Sequence, residues 1–446
     1  MKKDLTQGKE WKAILFFALP LMLGMFIQQL YNVVDGIVIG LVLGEDALSA
    51  VGVSLPLVLL CLALAMGLSA GSGIIISQNF GAKRMEDMPK TVSTVMLLAG
   101  SLGLVTTTLA IAFTPLFFRH VVQVPDYIFP MAVLYFRIFS IGIFFQFLYN
   151  GVASFLLSIG NAKVTLYFLI ASAVLNVFLT ILFVVILRLG VAGAAVTTVI
   201  AKLVAAVIAY VYMVKKYPYL RPAKSFDKKI CRLAVKLSFP LALQQSIVSL
   251  GFMAMGRLIN SFGVISIAGY TVAMRVEGLA IIPLFAFSNS ITTFTGQNVG
   301  AGRLDRVKSG LWSAELMTTV CGLFLIIILM PLAGPISALF GLEGAALARS
   351  VAQIRFLAPW FVVLSLGLVT GGMLKGAGDV RYPAIITALN LALRVGLAYW
   401  LVHIGRLGYN AAWATTPVGW VLMLVALLYR VYRGKWKDKA VVKREA

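Results

Sequence analysis

Runs of apolar residues long enough to cross a bilayer, separated by short polar or basic stretches, fill almost the whole chain. A helix rises about 1.5 Å per residue and the hydrocarbon core is about 30 Å thick, so roughly 20 apolar residues make one crossing. Counted this way, spans fall near residues 13–43, 48–78, 91–117, 128–156, 164–187 and 191–214, then 236–261, 266–296, 309–331, 348–374, 382–404 and 409–432. The runs are too long and too uniform for outer-membrane strands, which alternate lipid-facing and lumen-facing residues over about ten positions. The pattern predicts an all-α polytopic membrane protein with twelve transmembrane helices. Pro20, Pro56, Pro240 and Pro283 lie inside spans, so bent or tilted helices are expected. The first run follows Lys2, Lys3, Lys9 and Lys12 but is too long for a signal segment and shows no small-residue cleavage site, so it reads as a retained span.

The polar punctuation repeats. Pro20 returns as Pro240, Asp35-Gly36 as Met255-Gly256, and Gln78-Asn79-Phe80-Gly81-Ala82 as Gln297-Asn298-Val299-Gly300-Ala301. Gly160-Asn161-Ala162-Lys163 returns as Gly378-Asp379-Val380-Arg381, and Arg188-Leu189-Gly190 with Thr197-Thr198 as Arg406-Leu407-Gly408 with Thr415-Thr416. A spacing held at about 219 residues implies two six-helix lobes related by an internal repeat, 1–218 and 219–446, joined by a linker at about 215–236. Paired halves in an apolar chain are the signature of a transporter that works between two lobes.

Composition agrees with this class. Hydrophobic residues make up 61% of the chain and charged ones 12%, and the mean hydropathy is +0.96, more apolar surface than a soluble fold of this length buries. The net charge of +22 raises the question of nucleic acid, but its placement answers it. Lys and Arg concentrate in alternate loops: the N-terminus, Lys83/Arg84/Lys90, Lys163, the stretch from Lys215 to Lys236, Arg303/Arg306/Lys308, Lys375/Arg381 and the tail from Arg430 to Arg444. That is the positive-inside bias; it predicts cytoplasmic termini and a partner that is lipid, not nucleic acid. Cys61, Cys231 and Cys321 do not form a disulfide framework, and His120 and His403 lie far apart in sequence, so neither a metal nor a cofactor is expected. The pair Gly67-xxx-Gly71 reads first as a helix-packing surface.

An acid inside the membrane is costly and usually faces a cavity or a partner. Asp35 and Glu277 lie within spans, and Glu315 lies near the end of one. Gln28, Tyr31, Asn32 and Asp35 recur at helical spacing and make one polar stripe on the first span. Ser172, Asn176 and Thr180 make a second on the fifth span, and Thr197-Thr198 follow on the sixth. Asp35 reads as the coupling group or, less informatively, as a hydrogen-bonded tie between helices. For Glu277 two readings stand side by side: a carboxylate that faces substrate, or an ion pair with Arg394 or Arg275. Met253, Met255, Phe285 and Phe287 read first as plain packing and second as an adaptable cavity wall.

The motif Gln29-Leu30-Tyr31-Asn32-Val33-Val34-Asp35 with Gly40 and Gly44, the repeated Gln-Asn-x-Gly-Ala loop, Gly160-Asn161-Ala162-Lys163 and Gly190-Val191-Ala192-Gly193-Ala194-Ala195 together resemble the multidrug and toxic compound extrusion (MATE) family, bacterial branch, over essentially the whole chain. The resemblance implies an inner (plasma) membrane antiporter, not an enzyme, that exports amphipathic, often cationic small molecules in exchange for H⁺ or Na⁺ by alternating access. It implies a cation-coupling site at Asp35, Asn176 and Thr198, where Na⁺ would use Asp35 and Asn176. One position departs: where relatives carry a second carboxylate on the fifth span, this chain has Thr180. The seventh span carries Gln244 and Gln245 where some relatives have acids. A lone Asp suffices for a proton, whereas Na⁺ gains from more carboxylate charge, so H⁺ is the favoured ion. Gln28, Tyr31, Asn32, Met255 and Glu277 complete the substrate-cavity candidates. A monomer is expected. The rival within transport is a lipid-linked oligosaccharide flippase of similar architecture, for which Arg257, Arg275 and Arg394 would supply cations. A membrane-embedded enzyme would need clustered acids or histidines, and the sequence offers none.

Overall fold

The computed structural model describes residues 4–404 and 408–442. Lys2 and Lys3, the repeated Arg406-Leu407 and the basic residues Lys443 and Arg444 lie outside the described residues. Twelve helices among the described residues are long and apolar enough to cross a membrane, so the chain is a multi-pass membrane protein: α1 (Glu10–Leu43), α2 (Glu45–Gly81), α3 (Met88–Val122), α4 (Phe129–Ser158), α5 (Ala162–Ile186), α6 (Gly190–Lys216), α7 (Lys228–Asn260), α8 (Val264–Gly300), α9 (Leu304–Leu339), α10 (Gly344–Gly376), α11 (Arg381–His403) and α12 (Tyr409–Tyr432). No strand occurs among the described residues.

The helices fall into two compact units, and the division runs through α1 and α7 instead of the linker at 215–236. One unit is Leu23–Ser246; the other joins Asp4–Met22 to the described residues from Ile247 onward. In the first unit α4 packs on α2, α3 and α6, and α5 packs on α6. In the second, α10 packs on α8, α9 and α12, and α11 packs on α12, which is the same pairing.

Close packing explains why α7 begins in the first unit. A Cβ at Gly67 or Gly71 would run into the backbone of Ala242 or Ser238, so this face of α2 lies directly against α7, and the Ser238 hydroxyl donates to the Leu68 carbonyl at 3.4 Å. The Gly67-xxx-Gly71 pair is therefore a packing surface. The segment leading into α7 docks in the same way, with Ser93 Oγ donating to the Ser225 carbonyl at 2.7 Å and Asp227 N–H to Thr94 Oγ1 at 3.1 Å. The leading segment of the chain does the equivalent in the second unit. Leu5 N–H donates to Gln297 Oε1 at 2.9 Å, Arg303 donates to the Thr6 carbonyl at 2.8 Å, and Arg306 pairs with Glu10 at 2.9 Å.

Proline positions mark local departures from regular helix. In α2 the helical ladder lapses at Val53–Ser54 and restarts with Pro56 in its first turn, where a missing N–H costs nothing. α10 tightens to a 3₁₀ turn at Ala358–Trp360 around Pro359. α12 breaks at Thr415, just ahead of Pro417. Pro20, Pro240, Pro283, Pro331 and Pro335 are instead carried inside continuous helix. This is why α9 runs to Leu339 and not to the 331 expected from its apolar run: membrane helices tolerate interior proline where neighbours satisfy the freed carbonyls.

Candidate functional site

Helix α5 changes character at Thr180. Its α-helical part ends there, and Ile181–Ile186 continue as π-helix, a widened form that recurs at functional positions. Asn176 and Thr180 lie one turn apart on the same face, both almost fully buried. Thr180 Oγ1 lies 3.2 Å from Asn176 Oδ1 and 3.2 Å from Thr197 Oγ1 on α6, and 3.4 Å from Asp35 Oδ1 on α1. Thr197 and Thr198 are held by donating to the Ala194 carbonyl, at 2.8 and 3.2 Å. Tyr31, one turn before Asp35, and Thr198 line a common recess. Three helices therefore meet at one threonine hydroxyl.

A hydroxyl carries a single hydrogen and accepts through its lone pairs. Thr180 thus donates to Asp35 or to Asn176, not to both at once. An ionised Asp35 only accepts, so it claims that hydrogen; a protonated Asp35 is itself a donor and releases it. Asn176 Nδ2 is buried and has no hydrogen-bond partner, an unmet donor beside the same hydroxyl. The arrangement is a short relay whose direction depends on whether Asp35 holds a proton.

The relay borders an open recess lined by residues of α1, α4, α5 and α6. Gln28, Tyr31, Asn176 and Thr198 are in its wall, together with Gln146, Tyr149, Ser172 and Lys202. Asn32 is exposed on α1 and is not among the lining residues. The recess brings two residues of the first polar stripe, Gln28 and Tyr31, together with Ser172 and Asn176 of the second.

The remaining candidates lie in the second unit. Met255 is buried to 1% exposure in an apolar cluster with Leu258, Ile259, Tyr409 and Trp413, where it packs. Phe287 is buried too, while Met253 and Phe285 are exposed. Glu277 is buried and borders a second, small recess with Gln353 among apolar side chains. Arg394 is its main charged neighbour, yet no ion pair joins them among the described residues, and Glu277 Oε2 and Arg394 Nε each lack a hydrogen-bond partner. The Glu277–Arg394 ion pair, one of the two readings, is therefore not formed. Arg275 instead sits 5.9 Å from the Phe340 ring. Glu315 is accounted for by Thr370, which donates to it at 3.1 Å. No group of three or more His, Cys, Asp or Glu suited to a metal occurs among the described residues.

Sequence reading passed over Gln146, Tyr149 and Lys202. The signal for Lys202 is present in the chain: it is a lone base at the middle of an apolar span. The energetic argument that singles out Asp35 applies to bases equally, and a search restricted to acids misses it.

Comparison with known proteins adds three findings. The MatE family model matches residues 20–182 and 240–400. The probable multidrug resistance proteins YoeA and YpnP of Bacillus subtilis (strain 168) are each 27% identical to the chain over 444 residues, covering 97% of it and, respectively, 96% and 97% of the relative. Among solved structures, the crystal structure of MATE in complex with MaD3S superposes with a TM-score of 0.91 at 25% identity, over 98% of this chain and 99% of that one.

Proposed function

Because the chain belongs to the MatE family, a family of multidrug efflux transporters and not of enzymes, we propose that it exports amphipathic small molecules across the plasma membrane in exchange for protons, with Asp35 as the coupling residue. The observation that carries the reading is the contact of Asp35 with Thr180, at 3.4 Å, beside Asn176, which lines the recess. With Asp35 ionised, Thr180 donates to it and ties α1 to α5. With Asp35 protonated, that tie reverses or lapses, and the Thr180 hydrogen turns to Asn176 Oδ1, 3.2 Å away on its own helix. The packing of α1 against α5 and α6 thus differs between the two proton states. A ligand shifts a conformational equilibrium only through such a difference in free energy.

The ion choice follows from the donor set. One carboxylate and three neutral oxygens from Asn176, Thr180 and Thr197 surround the position. A proton needs one carboxylate, while a Na⁺ ion would have to be held mostly by neutral groups. We therefore place H⁺ ahead of Na⁺. Ethidium efflux from reconstituted vesicles under an imposed pH gradient checks this. Efflux should follow the pH gradient and persist when Na⁺ is replaced by choline; efflux that needs a Na⁺ gradient and ignores the pH gradient overturns proton coupling.

A further inference from the structure

Lys202 has no part in the relay, although it sits half-buried at the middle of α6. Its stem runs past Gly142 of α4, where an added Cβ would lie 3.3 Å from the Lys202 Cδ. Its ammonium lies 4.2 Å from the centroid of the Phe139 ring and borders the recess with Tyr31, Gln146, Tyr149 and Asn176. An ammonium has three N–H donors. Among the described residues none of them finds a hydrogen-bond acceptor or a carboxylate of the protein. The Phe139 ring face offsets part of the charge, but no acid lines the recess. Of the titratable groups nearby, Cys61 of α2 is the one that acts on Lys202, and Asp35 is engaged by Thr180.

A second unmet donor borders the same recess, the buried Nδ2 of Asn176. Two donors without acceptors, one of them cationic, make the wall complementary to a group that only accepts. A cation left uncompensated within a membrane helix is expensive and marks a ligand path or a partner.

We propose that Lys202 receives an anionic group, a carboxylate or its equivalent, of the molecule that enters this recess, so that the protein takes zwitterionic or anionic amphiphiles in preference to purely cationic ones. This rests on the efflux reading only for treating the recess as a substrate site.

The test uses two dyes that differ by one charge, rhodamine B, which bears a carboxylate, and its ethyl ester, with their binding measured at equilibrium on the purified full-length protein in detergent. The unmodified protein should bind rhodamine B about tenfold or more tighter than the ester, the scale of one charge-assisted hydrogen bond. Lys202→Met should bring the ratio to about one, and Lys202→Arg should keep most of it. Because a ratio is read, a general loss of folded protein cancels. Added phosphatidylglycerol that displaces rhodamine B from the unmodified protein but not from Lys202→Met, when phosphatidylcholine does not, supports the same contact with a lipid headgroup as the source of the anion. A ratio that Lys202→Met leaves unchanged overturns the proposal. Since binding is measured without a gradient, failure of pH-driven efflux in vesicles would count against the transport reading alone.

Discussion

At the scale of single residues, Thr180 carries the argument. It stands where the resemblance to the family implies an acid, and it links Asp35, Asn176 and Thr197 through one hydroxyl. Thr180→Val keeps the shape and removes the hydroxyl. It should lower thermal stability in detergent by about 1–3 kcal/mol, the cost of stranding buried polar partners, and should weaken pH-driven efflux; unchanged stability and efflux would remove Thr180 from the relay. Thr180→Asp places a second carboxylate beside Asp35, and two such groups titrate as a coupled pair. Efflux by that variant should become stimulated by Na⁺ and shift its pH dependence, and a profile identical to that of the parent counts against the geometry. Asp35, Asn176 and Thr180 were legible because each is a polar residue recurring at helical spacing in an oily span. Thr197 was legible only as half of a pair with Thr198, since hydrogen-bond direction is not written in spacing. The position of Met255 in the repeat, opposite Asp35, is a statement about backbone, and its side chain packs among Leu258, Ile259 and Trp413.

At the scale of helices, apolar run length located all twelve spans to within a few residues at most ends, because crossing the hydrocarbon sets a minimum length. It failed where a helix continues beyond the membrane-length run, as at the start of α7, which begins at Lys228, and at the end of α9. There, packing and hydrogen bonds to neighbours hold polar or proline-containing turns in helix. The tight crossing of α2 on α7 is directly testable. Gly67→Ala and Gly71→Ala each put a methyl into α7 backbone and should lower stability by about 1–3 kcal/mol. Gly396→Ala in α11 meets nothing within 4 Å and should be neutral or stabilising by up to about 1 kcal/mol. Thermal unfolding in detergent separates the two outcomes; equal effects at all three positions would contradict the crossing.

At the scale of the whole molecule, the two units pair their helices in the same way, and the basic loops alternate with poor ones along the chain. The spacing of sequence motifs indicated two halves, but not that α1 and α7 each divide between the units, because that depends on glycine faces meeting particular side chains. The orientation proposed from the charge pattern has cytoplasmic loops at Lys83, Lys215 and Arg303. In a chain with Cys61, Cys231 and Cys321 replaced, single cysteines at those loops should resist an impermeant reagent applied to intact cells, and ready labelling from outside would reverse the orientation. The central claim is that the proton state of Asp35 drives export. Its most direct test is efflux by Asp35→Asn in reconstituted vesicles under an imposed pH gradient, with dye binding by the same preparation as a control for folding. The account predicts retained binding with gradient-driven efflux abolished; full pH-driven efflux by Asp35→Asn would contradict it.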